Sequence, residues 1–124
     1  MENTILIAED EPFIVESLDF LLSRAGFTVR TVDDGIQVCD TMRAVRPDLL
    51  ILDIMLPSMN GFDILRRIRA DPQIGATPVL VLTAKGQETD RIQMRDLGAN
   101  EFMTKPFSNR DLVACVERLT AKEA

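Results

Sequence analysis

Glu9, Asp10, Asp53, Thr83 and Lys105 are the residues of this chain whose types and spacing suit chemistry. Three are carboxylates, one is a hydroxyl and one an amine, and each follows or closes a short apolar run. Carboxylates gathered in one place repel one another and become tolerable when a divalent cation sits among them. All-oxygen ligands with room for water favour Mg²⁺. A lysine and a hydroxyl on the far side suit a transferred phosphoryl group, whose oxygens need charge neutralisation. Each residue also has an ordinary role open to it. Glu9 and Asp10 suit a helix cap, Asp53 a strand-ending turn, Thr83 a hydroxyl turn, and Lys105 a solvated turn before Pro106. The ordinary roles do not require the five to meet, so the elements that position them decide between the readings.

Thr4 to Ala8 is a short apolar run, expected as a buried first strand, with Glu9, Asp10 and Glu11 at its carboxyl end. Pro12 suits the first turn of a helix whose apolar face is Ile14, Leu18, Leu21, Leu22 and Ala25, ended by Gly26. Thr28 to Val32 alternates as an edge strand does. Asp34-Gly35 opens a second helix with Val38, Cys39, Met42 and Val45 inward, and Pro47 stops it. Leu49 to Leu52 reads as a strand buried on both faces, with Asp53 at its end. Pro57 and Gly61 force a loop, and Asn60 caps a third helix running from about Gly61 to Ala70, with Ile64, Leu65 and Ile68 inward. Val79 to Leu82 is a second continuous apolar strand, ending in Thr83 and Ala84. A fourth helix over roughly Gln87 to Leu97 is weakly amphipathic, with Ile92 and Leu97 as its expected anchors, and Gly98 ends it. Glu101 to Thr104 is a last short strand closed by Lys105-Pro106. Ser108 and Asp111 form a capping-box-like start to a fifth helix that turns Leu112, Cys115, Val116 and Leu119 inward.

Strand and helix alternate five times, which implies an α/β fold: a doubly wound parallel sheet with helices on both faces and right-handed crossovers. In such a sheet the carboxyl ends of the strands face one crevice, so Glu9, Asp10, Asp53, Thr83 and Lys105 are expected together there.

Several function classes are excluded by composition. No histidine occurs among the 124 residues, which removes Ser-His-Asp and Cys-His nucleophile pairs and Cys/His zinc sites. Fourteen basic against twenty acidic residues give a net charge of −6, which argues against this domain gripping nucleic acid directly. No apolar run approaches the ~20 residues of a membrane span, and the N-terminus has no signal-peptide layout. A cytoplasmic chain with no membrane contact is expected. Cys39 and Cys115 fall in different predicted helices and read as reduced packing residues. The length suits one domain over residues 1–124, and no effector domain is expected to follow helix five in this polypeptide.

Ile5-Leu6-Ile7-Ala8-Glu9-Asp10-Glu11-Pro12, Pro47-Asp48-Leu49-Leu50-Ile51-Leu52-Asp53 through Pro57 and Gly61, Leu82-Thr83-Ala84, and Gly98-Ala99 through Lys105-Pro106-Phe107 occur in this order. Together they resemble the receiver domain of two-component response regulators, in its single-domain, chemotaxis-regulator-like form. The resemblance covers essentially the whole chain. It implies a flavodoxin-like fold with strand order 2-1-3-4-5. It implies Asp53 as the phosphoacceptor for a sensor histidine kinase or histidine phosphotransfer protein. Asp10 and Asp53 would be Mg²⁺ ligands, with Glu9 acting through water and the Met55 backbone carbonyl completing the site. Thr83 and Lys105 would bind phosphoryl oxygens. Thr83 and Phe102 would form the switch, although Phe102 equally suits plain core. A cis Lys105-Pro106 bond is also implied. The chain would catalyse only its own phosphorylation and slow self-dephosphorylation, and would present helix four, strand five and helix five to a downstream protein.

The chain departs from the usual pattern at three places. Glu9 is one methylene longer than the Asp often found there, Phe102 lacks a tyrosine's hydroxyl, and Met55 offers the metal only its backbone carbonyl. Arg91 and Asp111 suit one charged pair across a dimer face. Asn100 and Cys115 stand where receivers joined to winged-helix domains tend to carry an acid and an arginine, so a monomer or weak dimer is expected. Three other functions share parts of this pattern. A phosphatase of the haloacid-dehalogenase type would resemble Asp-x-Asp at its nucleophile, where this chain has Met55. A flavodoxin-like cofactor binder would need a phosphate-cradling loop where Glu9-Asp10-Glu11 stands. A degenerate receiver acting only as a scaffold would lack part of the acid, Thr and Lys set.

Overall fold

Aliphatic residues on both faces of the inner strands force the sheet to be covered on both sides, and the chain complies. A computed structural model describes residues 3–84 and 88–121. The elements are β1 (Thr4–Ala8), α1 (Pro12–Arg24), β2 (Thr28–Val32), a 3₁₀ turn (Gly35–Gln37) leading into α2 (Val38–Val45), β3 (Leu49–Asp53), α3 (Gly61–Ala70), β4 (Val79–Thr83), α4 (Glu88–Asp96), β5 (Glu101–Thr104) and α5 (Asn109–Thr120). All five strands are parallel in the order β2-β1-β3-β4-β5. This is the expected doubly wound arrangement.

Strand alternation divides the core in two. Leu6, Leu50, Leu52, Val79 and Val81 face α2, α3 and α4, where Met42, Ile64, Leu65, Ile68 and Met94 meet them. Ile5, Ile7, Leu49, Ile51, Leu80 and Leu82 face α1 and α5, against Leu18, Leu22, Leu112, Cys115 and Val116. Cys39 and Cys115 are free thiols on opposite sides of the sheet.

Local chemistry sets most boundaries. Glu11 caps α1 and Pro12 opens it; Asn60 caps α3 through the Asp63 amide, and Ser108 caps α5 through the Asp111 amide. Gly61 approaches β3 so closely that a Cβ there would lie 2.8 Å from Ile54 Cα, which leaves glycine as the residue that fits.

Three expectations need correction. Ala25 lies at the exposed C-cap of α1 rather than on its apolar face. The second helix begins as a 3₁₀ turn, because Asp34 accepts from the Ile36 amide and tightens the chain there. In α4 the fully buried anchor is Met94, whereas Ile92 is 41% exposed; Leu97 lies just beyond the helix and packs, half-buried, against the same core. A helix that contributes one buried side chain among its described residues gives too little periodicity to show which one it is.

Arg69 fastens the far end of the sheet. It donates to the carbonyls of Gly75, Thr77 and Gly98 and to Asn100 Oδ1, joining the α3–β4 loop to the α4–β5 turn. Asn100 Oδ1 also accepts from the Val79 amide at 2.8 Å.

Candidate acceptor and metal site

The register brings the reactive residues to one edge. Ala8 pairs with Leu52, Asp53 with Leu82, and Thr83 with Thr104, so the residues that end β1, β3, β4 and β5 all stand at the carboxyl side of the sheet. Carboxylate oxygens of Glu9, Asp10 and Asp53 lie within 4.8 Å of one another. Glu9 and Asp53 are buried and Asp10 is exposed. Lys105 enters from the end of β5, with Nζ 2.6 Å from Glu9 Oε1 and 3.7 Å from Asp53 Oδ1.

Backbone amides hold these carboxylates in place. Glu9 Oε2 accepts from the Asp10 and Glu11 amides, both at 3.1 Å. Asp53 Oδ1 accepts from the Met55 amide at 3.2 Å. The Lys105 amide donates to the Thr83 carbonyl at 2.7 Å, which ties β5 to β4 next to the site, and the following Lys105-Pro106 bond is cis as expected. Burial pushes the Glu9 carboxyl above its usual range. The Lys105 ammonium and the Glu11 amide pull it down again, while the Asp53 carboxylate pushes it up.

Glu9, Asp10, Asp53 and Lys105 therefore meet as the sequence predicts, with Thr83 buried at the end of β4 beside them. The side chain of Met55 is exposed, one residue beyond Ile54. Phe102 stands apart, half-buried on the α4 side of β5 opposite Val81. Beside the carboxylates a cleft of about 710 Å³ opens between α1, β2 and α2, with Phe13, Glu16 and Asp33 at its walls.

The donor set suits a hard divalent ion: three carboxylates, two of them buried, are countered among the described residues by one lysine. Comparison with known proteins gives the family. The sequence profile of the response regulator receiver domain matches residues 5–117. The chain belongs to the response regulator receiver domain family. Among its relatives, the DNA-binding response regulator MtrA of Mycolicibacterium smegmatis is 40% identical over 116 residues, covering 94% of this chain and 50% of that protein. The alkaline phosphatase synthesis transcriptional regulatory protein PhoP of Bacillus subtilis is 38% identical over 119 residues, covering 96% of this chain and 49% of that protein. The receiver thus spans about half the length of the curated relatives it matches.

Solved receivers agree in shape. The receiver domain of sensor histidine kinase PA1611 from Pseudomonas aeruginosa, with a magnesium ion coordinated in its active-site cleft, superposes with a TM-score of 0.89 at 30% identity, covering 98% of this chain and 100% of that one. The phosphorylated cyanobacterial phytochrome response regulator RcpA gives 0.83 at 29% identity, covering 96% and 91%.

Residue-by-residue reasoning overlooks two features around the site. Arg91 of α4 lies over the Phe102 ring, its guanidinium carbon 5.4 Å from the centroid. Ser58 donates to Asp34 at 3.1 Å, and the Gly35 amide donates to the Pro57 carbonyl at 3.0 Å, so the loop after Asp53 is braced by the chain that follows β2. The Asp34-Gly35 pair is the available signal for the brace, and it reads first as a helix start.

Proposed function

We propose that this receiver accepts a phosphoryl group onto Asp53 from a phosphohistidine of another protein, a sensor histidine kinase or a histidine phosphotransfer protein. One observation carries the proposal: the buried Asp53 carboxylate shares a 4.8 Å cluster with Glu9 and Asp10 while Lys105 stands 3.7 Å from its oxygen. With no histidine in this chain, the donor imidazole lies outside it. A P–O bond to Asp53 forms as the donor's P–N bond breaks, and the electron pair stays on the imidazole nitrogen.

Asp10, Asp53 and the Met55 carbonyl would hold Mg²⁺, which when bound neutralises the acids and the incoming phosphoryl oxygens. Glu9 suits a role through water, because both of its oxygens are already engaged by Lys105 and by two amides. Lys105 and Thr83 would receive phosphoryl oxygens. With Thr83 drawn to the phosphoryl group, Phe102 turns inward, and the α4–β5–α5 face changes for a downstream protein. The receiver turns over only its own phosphoryl group and acts on no separate substrate. It works as a monomer or weak dimer, and the net charge of −6 leaves any contact with nucleic acid to other parts of a larger protein. Among the described residues no helix is long and apolar enough to cross a membrane; the proposed cytoplasmic site of action rests on the receiver family alone.

The test is phosphorylation by phosphoramidate with Mg²⁺, followed by intact mass. Wild type should gain one phosphoryl group and Asp53→Ala none; equal labelling of the two would overturn the assignment.

A further inference from the structure

Phe102 carries an exposed guanidinium on its ring. The Arg91 side chain reaches from α4 to lie 5.4 Å from the ring centroid. Among the described residues no carboxylate is ion-paired with Arg91. Glu101, next to Phe102, accepts from Arg118 through Oε2 at 2.8 Å. Asn100 is held by Val79 and Arg69. Among the described residues, the Phe102 ring is the group that Arg91 is seen to bind. Around the two lies a cleft of about 140 Å³, lined by Arg91, Arg95, Ala99, Asn100, Glu101 and Phe102, so ring and guanidinium have space to part.

We propose that Arg91 is a positioning residue for the switch: its guanidinium holds the Phe102 ring in the resting position and opposes the inward turn that phosphorylation of Asp53 requires. The inference rests on the reading of Asp53 as acceptor and Phe102 as switch. The contact differs between the two states. Arg91 is anchored to α4, and α4 is pinned to the core by the fully buried Met94. A ring that turns inward leaves the guanidinium behind, and a contact made in one state alone shifts the equilibrium toward that state.

At an exposed site the attraction is worth about a twofold to fivefold bias in the population of the two ring positions. While the inward state is the minor one, a ligand that selects it binds more weakly by the same factor. Coupling is reciprocal, so removing the guanidinium should favour both the inward ring and the phosphoryl-like ligand. Arg91→Met keeps the apolar stem and loses the cation. Arg91→Lys keeps a cation that covers the ring less well.

The experiment uses two readouts on wild type, Arg91→Met and Arg91→Lys, with circular dichroism to establish that all three are folded. One is the ring NMR spectrum of Phe102 in metal-free protein, assigned by comparison with Phe102→Leu. The other is the affinity for beryllofluoride, a phosphoryl mimic, with Mg²⁺. Arg91→Met should move the free-protein ring signals toward their position in beryllofluoride-saturated wild type. It should also tighten beryllofluoride binding about twofold to fivefold, with Arg91→Lys between the two. If Arg91→Met keeps wild-type ring signals and affinity, or binds more weakly, Arg91 does not hold the switch. Wild type that takes up neither beryllofluoride nor a phosphoryl group would instead overturn the acceptor reading, and this inference with it.

Discussion

Lys105 leans on Glu9 more closely than on Asp53: Nζ is 2.6 Å from Glu9 Oε1 and 3.7 Å from Asp53 Oδ1. Glu9 is only 2% exposed, and burial alone would favour its neutral form. The lysine therefore has a task before any phosphoryl group arrives. It keeps a buried carboxylate paired, and it stands near enough to Asp53 to serve an anion formed there.

Lys105→Ala should cost stability as well as phosphoryl binding. Removing one partner of a largely buried pair leaves the other charge uncompensated, at a cost of about 2 kcal/mol here, since Lys105 keeps some contact with solvent. Urea unfolding measures it. No loss of stability would mean that the Asp10 and Glu11 amides alone satisfy Glu9.

Asp53→Ala should go the other way in the absence of metal. Three carboxylates within 4.8 Å destabilise one another, and of the two acids that Lys105 pairs with, Asp53 is the more distant. Its removal therefore relieves repulsion and leaves the shorter pair with Glu9 in place. Mg²⁺ at ten times its dissociation constant should stabilise wild type by about 1.4 kcal/mol, or about 5 °C in melting temperature. The variant should melt higher than wild type without Mg²⁺ and respond little to it. A melting temperature that ignores Mg²⁺ in both proteins would mean the acids do not share an ion.

Much of this site is legible in the sequence because it hangs on the strands. Leu49 to Leu52 and Val79 to Leu82 are apolar on both faces, so they sit inside a covered sheet, and Asp53 and Thr83 follow at a fixed edge. Spacing shows that Lys105 joins the acids, but it does not show that Glu9 is the nearer partner; that depends on a side-chain torsion and on the two amides that turn Glu9. Arg91 over Phe102 is less visible still, because the pair joins two elements and neither residue type is unusual where it stands. Arg69 lies four residues after Leu65, at the edge of the buried face of α3, and its carbonyl partners come from loops that no periodicity places.

Gly35→Ala should loosen the loop that follows Asp53. A Cβ at position 35 would collide with the Met59 carbonyl oxygen and lie 3.0 Å from the Pro57 oxygen and 3.1 Å from Ile64 Cδ1. Two of these three atoms are backbone, so the loop must move, at about 1–3 kcal/mol. Slower phosphorylation by phosphoramidate should accompany the loss. Unchanged stability and rate would show that the loop yields freely.

Asp71 should contribute to the acid limb of stability. The Gln73 amide and then the Arg43 guanidinium hold its carboxyl below the usual range. A carboxyl depressed by folding adds stability that is complete above its unfolded pKa of about 3.9 and is lost as pH falls through the lower folded value. Asp71→Asn should therefore flatten the fall in stability below about pH 4, while leaving its slope near neutrality unchanged. Urea unfolding across this range is the measurement, and parallel acid limbs for the two proteins would refute the role.

The phosphorylated receiver should be long-lived. Hydrolysis of an aspartyl phosphate needs a water placed in line behind phosphorus, opposite the Asp53 oxygen. By resemblance to other receivers, the positions nearest that path are two after the acceptor aspartate and two after the threonine, here Met55 and Lys85; Lys85 lies outside the described residues, so the structural case rests on Met55. Its amide is committed to Asp53 Oδ1 at 3.2 Å, and its side chain, 73% exposed, stands free beside the acceptor. A thioether does not hold a water usefully, and its bulk shades the phosphoryl face. A charged lysine has donors but no acceptor, so it stabilises the phosphoryl group rather than orienting a nucleophile. Each missing positioning contact of about 1.4 kcal/mol slows hydrolysis by about one decade. Met55→Asn combined with Lys85→Glu should shorten the lifetime by about one to two decades, followed as loss of phosphoprotein by intact mass. Decay no faster than wild type would place control of the water elsewhere in the cleft.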